Sequence, residues 1–175
     1  MKKNILILIL LTMISVINAS AFNNPSGSIK SFLLVHSYLK KTGGSLYQDE
    51  SRVSGLVNDD TYKIELIAPN VWTIPNKLGT GFVLGVRFYD IPQNVQSLEL
   101  RVNFPEMTLP TGEKRSSIKR PIDISGHKGS YDWFFEYYFD AAYETNPGDW
   151  TIQIYSNSVL LHKSQFEVVQ SNTIE

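Results

Sequence analysis

A two-layered antiparallel β-sandwich of seven to eight strands is what this sequence predicts, and three observations carry the prediction. Short runs with apolar residues at every second position recur along the chain, separated by clusters of Gly, Pro, Asn and Asp. No apolar pattern with a period of about 3.6 is long enough for a substantial helix. The chain closes with Pro147-Gly148-Asp149-Trp150-Thr151-Ile152-Gln153-Ile154-Tyr155, a polar turn at Ser156-Asn157-Ser158, and a last strand ending Gln165-Phe166-Glu167-Val168-Val169. Such a finish is common among immunoglobulin-like sandwiches.

Each element has its own local reason. Ile29 to Leu39 is apolar enough for a first strand, but its alternation is broken, so its inward face is not fixed. Lys40 to Asp60 turns to Lys, Gly, Ser, Asp and Asn and reads as a long mobile loop, with a short extended piece near Arg52 to Val57. Tyr62, Ile64 and Leu66 alternate with Lys63 and Glu65 in the next strand, and a turn region follows around Trp72 and Ile74. Thr80 to Tyr89 places Phe82, Leu84, Val86 and Phe88 on one face. Val95 to Phe104 alternates most cleanly, with Leu98, Leu100, Val102 and Phe104 inward. Pro105 to Gly112 reads as a Pro-bounded loop, and Glu113 to Ile124 as an edge strand blunted by Lys114, Arg115, Lys119 and Pro121. An aromatic strand, Tyr131 to Asp140, precedes the terminal pair. The core expected from these faces includes Phe82, Leu84, Leu100, Val102, Trp133, Phe135, Trp150, Ile152 and Phe166.

The first residues predict an address. Met1-Lys2-Lys3 is a positive start, Ile5 to Ile17 an apolar run, and Ala19-Ser20-Ala21 a small-residue cleavage site, the three parts of a secretory signal peptide over residues 1–21. At about 13 residues the run is shorter than the roughly 20 that cross a bilayer, so no stable membrane insertion is expected after cleavage. A polar lead (22–28), one sandwich domain (29–170) and a short tail (171–175) complete the organisation. The chain has no cysteine. That removes a disulfide framework, a thiol nucleophile, Cys-ligated metal and a lipoprotein anchor. Loss of Lys2 and Lys3 from the 16 basic residues leaves 14 against 17 acids, a charge of about −3, with no attraction for nucleic acid.

Ile74-Pro75 with Leu78-Gly79-Thr80 and Phe82, then Phe104-Pro105-Glu106-Met107-Thr108, resemble a bacterial family catalogued as domain of unknown function 3859. Pro147-Gly148-Asp149-Trp150-Thr151, Ile154 and Phe166-Glu167-Val168 resemble its final strands, so the likeness spans Ile29 to Val169. It implies an exported all-β protein with no assigned activity and no catalytic residues to carry over. Gly79 and Gly148 would be turn residues, and Phe82 and Trp150 core.

No catalytic constellation is visible: there is no nucleophile elbow, no Ser-His-Asp context and no paired-carboxylate motif, so an enzyme is not expected. His36, His127 and His162 show no short ligand spacing, although His36 and His162 could meet across first and last strands; neither metal nor cofactor is expected. The aromatic strand offers two faces. Tyr131, Trp133, Phe135, Tyr137 and Phe139 form either the central core or, if exposed, a platform for sugar or peptide. On the other face Phe134 and Tyr138, with Tyr155 of the terminal hairpin, are the candidate ligand contacts. The expected function is therefore an exported, monomeric, non-catalytic binding module of the periplasm or cell exterior with an unknown protein or glycan partner. Lys40 to Asp60 and Pro105 to Gly112 are the favoured contact segments, the former dispensable for stability. The alternatives are a carbohydrate-binding module using residues 131–139 and an envelope assembly protein acting by strand-edge pairing.

Overall fold

The computed structural model describes residues 29–58 and 61–171, and in it the alternating runs become two facing sheets. The predicted signal peptide, the polar lead and residues 172–175 lie outside the described residues. One sheet joins β1 (Lys30–Thr42), β4 (Lys63–Pro69), β6 (Thr80–Ile91) and β9 (Gly129–Tyr138) in the order β4-β1-β6-β9. The other joins β5 (Thr73–Pro75), β7 (Ser97–Thr108), β8 (Lys114–Asp123), β10 (Gly148–Ser156) and β11 (Val159–Val169) in the order β5-β11-β10-β7-β8. A small hairpin, β2 (Leu46–Gln48) with β3 (Leu56–Asn58), stands apart from both. Every pairing is antiparallel except β5 with β11. The two layers thus hold nine strands among the described residues rather than seven to eight. The addition is β5, three residues that read as a turn because its ladder partner lies far along the chain.

The inward faces meet in an aromatic core. The Phe82 ring of the four-stranded sheet lies 4.4 Å from Phe166 and 5.4 Å from Trp150 of the other, and Tyr137 lies 4.2 Å from Trp150. Phe82, Leu84, Leu100, Val102, Trp133, Phe135, Trp150, Ile152 and Phe166 are all buried. Asn157 and Ser158 make the two-residue hairpin between β10 and β11, with φ values of 47° and 69°. Positive φ at both positions is what lets a tight turn follow the twist of its strands.

Three expectations change. The broken alternation of the first strand comes from a bulge between Leu33 and Val35: Phe32 and Val35 pair with Arg87 and Gly85 on the outer face, while Leu33 and His36 turn inward. The strand through Phe104 does not stop at Pro105. It runs to Thr108 across a second register shift, which accommodates a residue with no N–H, and buries Met107 and Leu109. Nor is the stretch from Lys40 to Asn58 a loop without regular structure. Its β1 end, the β2–β3 hairpin and the turn between them are tied down: Asp49 accepts from Ser51 and Arg52, and the Arg115 guanidinium of β8 donates to the carbonyls of Glu50 and Arg52. The Tyr143 hydroxyl donates to the Ser54 carbonyl, and Val53 and Ser54 are buried. A polar composition hid one apolar anchor.

Three outcomes follow from this core. Trp150→Ala should cost about 3–5 kcal/mol in equilibrium denaturation, and Trp150→Phe clearly less, because the buried indole N–H has no acceptor to lose. Val53→Ala should cost about 1–2 kcal/mol and lower Tm by several degrees; an unchanged Tm would return the 49–55 turn to the status of a loose loop. Burial holds the His162 pKa below its ordinary value, so the folded protein resists taking the proton that the unfolded chain accepts below about pH 6.5. Stability should therefore fall as pH drops through that region, and His162→Leu should flatten the fall in pH-dependent urea midpoints.

Candidate interaction surface and cleft

The outer face of the four-stranded sheet is the unusual surface. Registered partners share a face, so β1, β4, β6 and β9 set Phe32 beside Arg87 and Asp132, Val35 beside Gly85 and Phe134, and Leu66 beside Leu39, with Gly81 and Tyr138 completing that last row. Ile64 opposes Lys41 at the end. Phe32 is 59 % exposed, Leu66 57 %, Phe134 52 % and Ile64 46 %, a run of large apolar side chains on a face that in most antiparallel sheets is polar. The alternation of Tyr62, Ile64 and Leu66 is thus real, but its apolar side faces away from the core.

Part of this face has a small core of its own. Leu39, Val83 and Tyr138 are buried there, with Val35 and Tyr62 packed against them. The Tyr62 ring meets Tyr138 edge-on at 5.9 Å. A Cβ on Gly85 would lie 2.7 Å from both the Phe134 ring and Val35, so the bare glycine is what lets that ring lie down on the sheet. At the far end Lys41 forms a buried ion pair with Asp140, its ammonium 5.3 Å from the Tyr138 ring. Burial, with the Glu136 carboxylate beside it, pushes the Tyr138 phenol up, so it stays protonated and donates to Glu136 at 3.1 Å.

A cleft of about 390 Å³ opens where the two sheet edges β8 and β9 come close, under the segment 52–57. Arg52, Tyr62, Arg120, Glu136 and Asp140 line it. Beyond it, Glu144 closes the link from β9 to β10. Its buried carboxyl accepts from the backbone N–H groups of Asp140 (2.5 Å) and Ala141 (2.6 Å) and from the Tyr137 hydroxyl (3.3 Å). Burial raises the Glu144 pKa against those donors. It is a structural knot, because its partners are its own neighbours, Tyr137 of the core and the buried Ser54 of the 52–57 segment.

The three ligand-contact candidates do not converge. Phe134 is exposed on the outer face of the four-stranded sheet, Tyr138 shares that face but is buried, and Tyr155 sits on the outer face of the opposite sheet. There the Arg101 guanidinium covers the Tyr155 ring at 4.2 Å, above a shallow hollow shared with Glu99 and Lys119. Trp133, Phe135, Tyr137 and Phe139 are buried and Tyr131 half-buried, so that ring series forms core rather than platform. His36 stacks on Trp72 at 3.8 Å, His127 lies against Tyr131, and His162 meets Ser164, so each ring has a local partner. The described residues contain no cluster of three or more metal-ligating side chains, and no described helix is long and apolar enough to cross a membrane. Sequence reasoning missed the aliphatic half of the outer face, and it read Arg120 with Lys114, Arg115 and Lys119 as a solubilising basic edge rather than as a side chain turned inward. Register and the folding-over of residues 52–57 reveal both, and neither leaves a local signal.

No protein-family model matches the chain, and no curated protein does. Among solved structures, an immunoglobulin-like protein from Pseudomonas aeruginosa is 16 % identical; the alignment covers 83 % of this chain and 100 % of that one, with a TM-score of 0.52. At that identity the likeness speaks for the fold, and the chain is an immunoglobulin-like β-sandwich.

Proposed function

We propose that this chain is an exported, monomeric, non-catalytic interaction module whose partner is a protein docked on the outer face of the four-stranded sheet. The carrying observation is the exposed apolar series Phe32, Ile64, Leu66 and Phe134 on that face. The leader read in residues 1–21 supports export to the periplasm or beyond. The resemblance of Ile74-Pro75, Leu78-Gly79-Thr80 and Phe104-Pro105 to the family of domain of unknown function 3859 belongs to the same reading.

Chemistry favours a protein over a glycan. Sugars stack on flat rings flanked by directed polar groups, whereas half of this series is aliphatic and its rings are separated. The magnitudes set the strength of the contact. Covering four half-exposed side chains contributes roughly 1 kcal/mol each, about 4 in all, against an association cost of about 4–15 kcal/mol. Apolar contact alone therefore supports a transient complex, and a lasting one draws on polar contacts at the rim.

Photo-crosslinking in the native envelope tests this. A crosslinker at Leu66 or Phe134 should yield one discrete protein adduct, and the same group at Tyr155 on the opposite sheet none. Leu66→Ser with Phe134→Ser should abolish an adduct formed from Ile64 while lowering stability by no more than about 1 kcal/mol per site. Equal adducts from both sheet faces, adducts only between copies of this chain, or tight binding on a glycan array would each sink the proposal.

A further inference from the structure

Of the five arginines, four are committed. Arg52 pairs with Asp49, Arg87 with Asp132, Arg101 with Glu99 and Arg115 with Glu113. Arg120 makes neither a hydrogen bond nor an ion pair with any described residue, although it is half-buried. Its position explains the burial. In the β7–β8 ladder it opposes Leu100, a core residue, so its side chain leaves the inner face of the edge strand and enters the cleft toward β9. Burial and the like charge of Arg52 lower its pKa, and the Asp49 carboxylate, itself hydrogen-bonded to Ser51 and Arg52, works against them. An inward charge on an edge strand can serve simply to stop sheets from joining. That accounts for a basic residue here, but not for a second guanidinium beside it across a cleft of about 390 Å³.

The acids of the cleft are engaged elsewhere: Asp140 with Lys41, and Glu136 with the hydroxyls of Tyr62 and Tyr138. A planar guanidinium with open donors matches a carboxylate in two-point fashion. With two carboxylates already in the wall, a doubly charged anion would be repelled where a single charge is tolerated. The cleft also runs beside the outer edge of β9, which no described strand pairs and which carries neither proline nor lysine from Gly129 to Tyr138.

We propose that this cleft binds a singly charged carboxylate through Arg120, and that the carboxylate is the acidic side chain of an extended peptide lying along the edge of β9. The site lies off the outer apolar face and stands or falls independently of docking there. Titration of the isotope-labelled protein, followed at the Arg120 Nε–H resonance and, in every variant, at the backbone amides of β8 and β9 at constant ionic strength, tests it. Sodium acetate should give a saturable shift that Arg120→Lys weakens by about tenfold or more, while Lys119→Ala, on the outer face of the same strand, leaves it unchanged. A blocked pentapeptide of alternating valine and threonine with a central glutamate should bind about tenfold tighter than acetate and move the β9 backbone amides. Its glutamine counterpart should be about tenfold weaker than the glutamate peptide. No saturable shift, inorganic phosphate binding tighter than acetate, or equal binding of the two peptides would overturn the site. Acetate binding as tightly as the glutamate peptide would overturn the peptide as its source.

Discussion

Contact between rings across the two layers holds this molecule together, and most other features are arranged around it. Phe82 reaches from the centre of one sheet to Phe166 and Trp150 of the other, and Tyr137 and Phe104 complete a stack in which no ring is more than 6 % exposed. Without a cysteine in the chain, cohesion between the layers rests on such burial, at about 1.5–3 kcal/mol for each fully covered large side chain. Gly81 shows how tight the frame is: a Cβ there would lie 1.9 Å from the Tyr137 carbonyl oxygen, so the β6 and β9 backbones approach as closely as they do only because that position is bare.

That constraint also shapes the surface. Once Phe82, Leu84, Val86 and Phe88 of β6 are committed to the core, ladder register decides what their neighbours present on the other side. The bulge at Leu33 and Val35 matters here because one inserted residue exchanges the faces of everything beyond it. On its outer side the sheet then collects Phe32, Val35, Leu39, Leu66 and Phe134, of which only the middle is covered, by Tyr62. The uncovered ends are what a partner would use.

The segment between β1 and β4 links core to cleft. Val53 plugs into the core, Arg115 grips the carbonyls around it, and the remainder is thereby held over the gap between β8 and β9. A turn pinned in this way converts two exposed strand edges into walls. The guanidinium of Arg120, which on an open edge would reach water, is instead enclosed beside a second positive charge.

The class of fold and most of the strands are legible along the chain, because a period of two, short turn signals and a run of rings are local properties that every residue reports through its immediate neighbours. Trp150, Ile152 and Ile154, and Leu98, Leu100 and Val102, are buried where alternation puts them. Tertiary structure alone decided which apolar faces end outside, whether Tyr138 is covered while Phe134 is not, and that Phe134 and Tyr155 belong to opposite surfaces. Alternation states that two faces differ without stating which one meets the other sheet. Bulges, a proline carried inside a strand and a polar segment anchored by one valine are settled by partners on other elements, Val86 for Leu33 and Arg115 for Arg52, beyond the reach of any local pattern.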